Sequence, residues 1–350
     1  MERLAVVILN WNGEEFLRRF LPGVVECSVG IHAPEGCEVT VVVADNGSTD
    51  GSVAWLTESY GSGSDSLRVA LLTLGRNYGF TGGYNRALAS PLLEGYDYFL
   101  LLNSDVEVTA GWLGPLVEAL RGDASVGAAM PKMRGYERRE YFEYAGAAGG
   151  FIDALGYPFC RGRIFGTVER DEGQYDTPRD VFWATGAALL IRAALWRRLG
   201  GLDEAFFAHM EEIDLCWRLW RKGYRVTVVP RAVVYHVGGG ALPASSPRKT
   251  YLNFRNNLAM LYKNLSRGRF AAVYGVRLGI DFLQALGYCL AGRFAFGAAV
   301  VRGHRDFWLR MRRGLVRGEA SVAWPPGRVF YRGSVALRYL VGRRKFENMM

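Results

Sequence analysis

The chain has 350 residues, half of them hydrophobic and 22% charged. That is enough apolar material for one large domain, or a medium domain with an appendage, and it excludes a globally disordered chain. The net charge of +9 is unevenly spread: residues 241–350 carry 20 Lys/Arg against 4 Asp/Glu, residues 1–240 carry 23 against 30. An acidic body with a basic tail points to an anionic surface as partner, either membrane or nucleic acid. Five scattered cysteines without CxxC spacing (Cys27, Cys37, Cys160, Cys216, Cys289) are expected to be reduced thiols of a cytosolic protein. The apolar run after Met1-Glu2-Arg3 is too short for a signal peptide.

Along the first 130 residues, short Val/Leu-rich runs alternate with helical stretches. Strands are predicted at 4–9, 39–44, 67–72, 98–102 and 126–130, and helices at 14–26, 50–59, 83–89 and 111–120. Near-continuous apolar strands in strand–helix alternation predict a mostly parallel sheet covered on both faces. Polar residues cluster at the strand exits: Asn10-Trp11-Asn12, Asp45-Asn46-Gly47-Ser48 and Asn103-Ser104-Asp105. In open α/β sheets ligands bind outside the carboxyl ends of strands, so the repetition favours one composite site over three unrelated turns.

Residues 132–180, rich in Gly, Tyr and Arg, break the alternation and are expected to form a β-rich excursion over one edge. A strand at 183–192 and a short helix ending at Gly200-Gly201 follow. A helix at 210–222 is stopped by Gly223, then strands at 224–229 and 232–235 end at His236 and the loop Gly238-Gly239-Gly240.

From about residue 251 the tail is helical in pattern. Residues 270–301 are largely apolar, but their longest uncharged stretch, 282–292, has 11 residues, and a spanning helix needs about 20. At 100° per residue Arg269, Arg277, Asp281 and Arg302 share roughly one side. This pattern suits an interfacial amphipathic pair, with the Arg-dense stretches 302–317 and 328–345 against anionic headgroups. A helical subdomain with solvated arginines is the alternative. Nucleic acid is disfavoured because the tail has no recognisable nucleic-acid module and a long apolar centre.

The strand exits carry the chemistry. Asp105 is placed to hold a hard divalent cation that clamps phosphate oxygens, or simply to make a turn. The Asp45 carboxylate can accept hydrogen bonds from a nucleobase imide or a ribose hydroxyl, and Asp50 or Ser48 can cap the next helix. Glu211, Glu212 and Asp214 open a predicted helix, where the macrodipole favours them. The preceding Phe206-Phe207-Ala208 makes a partly apolar mouth that would raise a carboxylate toward general-base range. His236 becomes a ligand candidate if it meets Asp105 in space. The Gly79-Phe80-Thr81-Gly82-Gly83 run lacks GxGxxG order and does not follow the first strand, which disfavours a dinucleotide-binding dehydrogenase. A Gly-rich helix entry can still cradle a phosphate. Walker A, zinc-ligand spacings and GxSxG are missing from the sequence.

Taken in order, Val7-Ile-Leu-Asn-Trp-Asn-Gly13, Ala44-Asp-Asn-Gly-Ser-Thr-Asp50, Asn77-Tyr-Gly-Phe-Thr-Gly-Gly-Tyr-Asn85, Leu101-Leu-Asn-Ser-Asp-Val106, Thr185-Gly-Ala-Ala188, Gly200-Gly-Leu-Asp-Glu204, Met210-Glu-Glu-Ile-Asp-Leu215 and His236 resemble family 2 glycosyltransferases of the GT-A fold. Bacterial rhamnosyltransferase-like enzymes of surface polysaccharide synthesis are the nearest in pattern. The resemblance covers residues 4 to about 263. It implies an α/β GT-A domain over 1–240 with a mostly parallel central sheet, and a helical, basic, membrane-associated extension over 241–350. Asn12 and Asp45 would contact the donor nucleoside, and Asn77, Gly79, Gly82, Gly83, Asn103 and Ser104 the rest of a nucleotide-diphosphate sugar. Asn103-Ser-Asp105 stands at the family's DxD motif with Asn for the first Asp, making Asp105 the principal ligand to Mg²⁺ or Mn²⁺ and His236 a second. Glu211-Glu212 stands at the Glu-Asp pair, so Glu212 is the implied base, with Glu211 and Asp214 as alternatives. The implied reaction is inverting transfer to a glycan or lipid-linked acceptor, by a cytoplasmic protein peripheral on the inner membrane face. Because Asn103 and Glu212 depart from the usual pattern, a nucleotide-sugar-binding scaffold without catalysis is the competing expectation.

Overall fold

The computed structural model describes residues 1–61, 69–238, 246–316 and 327–349. In chain order its elements are β1 (Glu2–Asn10), α1 (Glu14–Ser28), β2 (Cys37–Asp45), α2 (Ser52–Tyr60), β3 (Val69–Thr73), α3 (Gly79–Leu88), β4 (Tyr98–Leu102), β5 (Val106–Val108), α4 (Leu113–Arg121) and β6 (Val126–Gly135). The excursion supplies β7 (Gly150–Asp153), β8 (Pro158–Cys160), β9 (Arg163–Ile164), β10 (Thr167–Val168) and β11 (Arg179–Asp180). Then come β12 (Ala188–Arg192), α5 (Ala193–Leu199), α6 (Glu211–Arg221), β13 (Arg225–His236), α7 (Pro247–Asn264), α8 (Arg267–Leu290), α9 (Phe294–Arg312), β14 (Phe330–Tyr331) and α10 (Val335–Leu340).

The main sheet runs β11-β13-β6-β12-β4-β1-β2-β3, with β5 on β13. Strands β1 to β4 pair in parallel, β13 is parallel to β6, and β12 runs antiparallel between β4 and β6. All five residues of β4 are buried, as a strand covered on both faces requires. Register then assembles the strand tips. Asn10 stands opposite Asp45, Ile8 opposite Leu102, Leu102 opposite Ala188, and His236 opposite both Gly135 and Val106. The mostly parallel sheet is the expected one.

Three local differences have physical causes. The strand expected at 183–192 begins only at Ala188, because Thr185 turns the chain: its Oγ1 accepts from the Ala187 amide at 3.2 Å. The two strands expected after Gly223 are one, β13, whose register with β6 slips between Val229 and Val233 across Pro230, which has no amide to donate. Helix α3 starts at Gly79, four residues early, so the glycine run is its first turn. Gly223, at φ 83°, ends α6 as expected. Leu67, Arg68, Gly239, Gly240 and Arg317 lie outside the described residues.

The excursion is β-rich as expected, and forms a second sheet, β10-β9-β8-β7-β14. Its last strand comes from the far end of the chain, pairing Phe330 with Ile152 in parallel. The tail is fastened to the body along α7, which packs on α6 and α9. Of the four charged residues expected on one outward side, Arg269 and Arg302 are exposed, but the central two on α8 turn inward. Arg277 and Asp281 are buried at 2% and 0% exposure in an ion pair of 3.1 Å, joined by His304 and Tyr157. The outward face instead shows Leu278, Phe282, Leu283, Leu286 and Leu290, and Phe294 follows at the start of α9. Among the described residues no helix is long and apolar enough to cross a membrane.

Candidate active site

The first part of the site lies where β1 and β2 end. Asn10 is fully buried, and its amide donates to Asp45 Oδ1 (3.2 Å), Ser48 Oγ (3.1 Å) and Ser52 Oγ (3.0 Å). The other Asp45 oxygen accepts the Gly47 and Ser48 amides of its own turn. Asn12, at φ 50°, accepts the Thr49 amide at 2.7 Å and donates its backbone amide to Ser48. Asp50, one of two expected helix caps, accepts the Ser52 and Glu14 amides and so joins the starts of α1 and α2. The exposed Trp11 stands at the rim.

Asn46, 2% exposed, clamps this tip to the entry of α3. Its amide donates to Asn77 Oδ1 and the Gly79 carbonyl, and its oxygen accepts the Tyr78 amide. Gly79 has φ 73°, and a Cβ there would lie 2.6 Å from the Phe207 ring. Gly82 and Gly83 serve close packing: a Cβ on Gly83 would lie 2.7 Å from Leu9, and one on Gly82 3.0 Å from Tyr78.

At the tip of β4, the Asn103 backbone N–H donates to the Ala187 carbonyl (3.0 Å), while Ser104 Oγ stands beside Gly13. Asp105 and His236, 6% and 5% exposed, meet at 3.1 Å between Oδ1 and Nε2. Glu143 approaches the other ring nitrogen at 3.3 Å, an ionic contact without hydrogen-bond alignment. Burial pushes the Asp105 carboxyl up, but the His236 bond, the His236 charge and two backbone amides together outweigh it and hold Asp105 below the usual carboxylate range. Burial pushes His236 down, and its bond to Asp105 together with the nearby Glu143 and Asp105 carboxylates carries it up to about 10.

The donor set fits a hard divalent cation. Asp105 offers a carboxylate, and His236 would offer Nε2 once a cation displaces the proton now shared with Asp105, with the Glu143 carboxylate 3.3 Å behind the ring at Nδ1 to hold the remaining proton. Among the described residues no group of three or more His/Cys/Asp/Glu forms a metal cage. A two-donor edge suits an ion whose remaining positions belong to substrate phosphates and water.

Glu211 and Glu212 open α6. Gly186 brings Glu212 to the strand tips: a Cβ on it would lie 3.8 Å from Glu212 Cβ, one residue from the carbonyl that Asn103 bonds. Oε2 of both glutamates is sealed from solvent without a hydrogen-bond partner. Burial pushes Glu212 up to about 7, and burial followed by the Glu212 charge pushes Glu211 well above the usual range. Asp214 is different. It is fully buried and faces α7, accepting Arg218 and Lys263 on one oxygen and Asn264 on the other. Burial raises its carboxyl, but Arg218 and Lys263 outweigh that and hold it ionised, the geometry of an anchor rather than a base. Burial and the Lys249 charge push His209 down to about 4, so its ring is neutral.

Three members of the site have no individual role assigned from the sequence. Asn10 and Asn46 lie in the polar strand exits after β1 and β2, where their local pattern is that of any polar turn residue. Glu143 lies in the excursion with no pattern around it.

Polar side chains gather at the carboxyl ends of a mostly parallel sheet, beside the Asp105–His236 pair and a raised carboxyl, in the architecture of the GT-A fold. Residues 5–195 match the family described as Glycosyl transferase family 2. A relative from Mycobacterium tuberculosis, N-acetylglucosaminyl-diphospho-decaprenol L-rhamnosyltransferase, is 30% identical over 246 residues, 67% of this chain and 75% of that one. Two solved structures are similar in fold. GalNAc-T7 with UDP, GalNAc and Mn²⁺ has a TM-score of 0.58 at 17% identity, over 76% of this chain and 49% of that one. Mannosyltransferase PcManGT from Pyrobaculum calidifontis with GDP-Man and Mn²⁺ has a TM-score of 0.53 at 15% identity, over 87% of each. The chain belongs to glycosyl transferase family 2 and is a glycosyltransferase.

Proposed function

We propose that the chain transfers a sugar from a nucleotide-diphosphate donor, with inversion, to a glycan or lipid-linked acceptor in cell-surface polysaccharide synthesis. The observation that carries this reading is Glu212, a partly buried carboxyl with Oε2 sealed from solvent and unpartnered, pushed up to about 7 beside the strand tips. Asn12, Asp45 and the Asn46–Asn77–Gly79 clamp hold the nucleoside side of the donor. Glu212 removes the proton of the acceptor hydroxyl as that oxygen bonds the anomeric carbon. The bond to the diphosphate breaks, and its electron pair leaves with the nucleotide. Asp105 and His236 would hold Mg²⁺ or Mn²⁺, with Glu143 orienting the ring. When bound, the cation neutralises charge on the departing diphosphate. The mycobacterial relative makes an L-rhamnosyl donor and a polyprenyl-diphosphate-linked N-acetylglucosamine the first pair to assay.

The test is nucleoside-diphosphate release from a panel of nucleotide sugars, with and without divalent cation, for wild type, Asp105→Ala and Glu212→Gln. Both variants should lose at least about 100-fold in turnover. Wild-type rates in both would overturn the site, and wild-type donor binding without any turnover would favour the binding scaffold.

We also infer that the chain sits peripherally on an anionic membrane, on its cytoplasmic side. The outward apolar stripe of α8, the basic surplus of the tail and the lipid-linked acceptor of the relative support this reading.

A further inference from the structure

The segment before α6 is an unusual stretch of backbone. Phe207, His209 and Met210 have φ of 68°, 70° and 75°, in the left-handed region that residues carrying a Cβ avoid. Three such residues within four persist only if groups outside the segment over-determine them. Those groups are on α7. The Asn256 amide, 1% exposed, donates to the carbonyls of Phe206 (3.0 Å), Ala208 (2.7 Å) and His209 (2.8 Å). Arg255, 8% exposed, donates through Nη2 to the Phe206 carbonyl at 2.8 Å, and through Nε to Asn256 Oδ1 at 2.8 Å. That last bond fixes which way the amide faces. The carbonyl left over, on Phe207, accepts the Phe80 and Thr81 amides in the first turn of α3. Consecutive carbonyls thus tie the segment to α7 on one side and to the α3 entry on the other. Met210 then accepts the first helical bond of α6, from Asp214, two residues from Glu212.

We propose that Arg255 and Asn256 are positioning residues for the reaction: they hold the 206–210 backbone in its strained form and so set Glu212 against the α3 side of the donor site. The proposal rests on Glu212 as the base. It makes α7, which belongs by composition to the basic tail, a working part of the catalytic unit. Neither side chain touches the reacting atoms. Their effect passes through the backbone, where displacements of about 1 Å can cost about 100-fold in rate.

The experiment compares kcat, donor KM and the pH profile for full-length wild type, Asn256→Ala, Arg255→Lys and Asn256→Ala/Met210→Gly. Asn256→Ala should lower kcat about 10–100-fold while donor KM changes less than about 3-fold. The acidic limb of its kcat/KM profile should move below that of wild type, because a released segment lets water reach Glu212. Met210→Gly should recover at least about 5-fold of the loss, since glycine adopts the left-handed conformation without a Cβ penalty. Arg255→Lys keeps the charge but not the forked contact, and should show a smaller loss of the same kind. A folded Asn256→Ala with wild-type kcat and limb overturns the proposal, as does a kcat loss with an unmoved limb and no recovery by glycine. If Asn256→Ala does not fold, Arg255→Lys decides by the same limb and KM criteria. Wild-type turnover by Glu212→Gln would instead remove the base assignment, whatever the Asn256 variants do.

Discussion

Glu212→Gln should abolish turnover and at the same time stabilise the protein, by an amount that depends on pH. Burial raises the Glu212 carboxyl from an ordinary 4.5 to about 7. The folded protein therefore binds this proton more tightly than the unfolded chain does. The stability linked to it is fully present below pH 4.5 and is lost as pH rises through about 7. Each pH unit over that interval costs 1.36 kcal/mol, so holding the carboxylate ionised at pH 8 costs about 3 kcal/mol. Glutamine has nothing to ionise and escapes this cost. Urea titrations of both proteins should give nearly equal unfolding free energies at pH 4.5, with the variant ahead by about 3 kcal/mol at pH 8. Donor turnover by wild type should rise through pH 7 as the base loses its proton, and the variant should stay flat near zero. A stability difference below about 1 kcal/mol across the whole range would refute the sealed environment described for Glu212.

Two further outcomes follow from the site and the tail. Glu143→Gln removes the orienting carboxylate behind His236 and should raise the Mn²⁺ concentration needed for half-activation about 10–100-fold. Titration of bound Mn²⁺ by electron paramagnetic resonance should show the same shift, and unchanged Mn²⁺ affinity would detach Glu143 from the cation edge. Phe282→Glu/Leu286→Glu should abolish flotation with vesicles containing anionic phospholipid while leaving turnover of a water-soluble acceptor analogue intact. Flotation equal to wild type would remove the membrane reading of α8.

Much of the fold was legible because its signals are local. Four of the five apolar runs in the first 130 residues are largely buried strands, with β3 a partly exposed edge, and their near-continuous apolar character made the parallel sheet readable before any contact was known. The polar tips at Asn10, Asp45 and Asn103 were readable for the same reason: each stands where a buried run stops. Even the helix stop at Gly223 follows from one residue's backbone freedom. The irregular parts were read less well. The Thr185 turn and the Pro230 slip each depend on a single side chain overriding a strand-like run, and periodicity averages over such events.

What sequence order could not decide were the pairings between distant segments. Asp105 and His236 lie 131 positions apart and meet only because β13 carries His236 to the tip of β4 and β5. Glu143 reaches that pair from an excursion without periodicity. Among three acidic residues in four positions, helix geometry turned Asp214 toward Arg218 on its own helix and Lys263 and Asn264 on α7, and left Oε2 of Glu211 and of Glu212 without a hydrogen-bond partner. The local pattern favours all three equally, and only packing separates an ionised, paired carboxylate from the two raised ones. The tail shows the same division. Its charge surplus and amphipathic period were in the composition, but which side of α8 faced inward depended on Arg277 and Asp281 finding Tyr157, Asn257 and His304 on other elements. Composition and period are sums over neighbours in the chain, whereas burial and pairing are properties of neighbours in space.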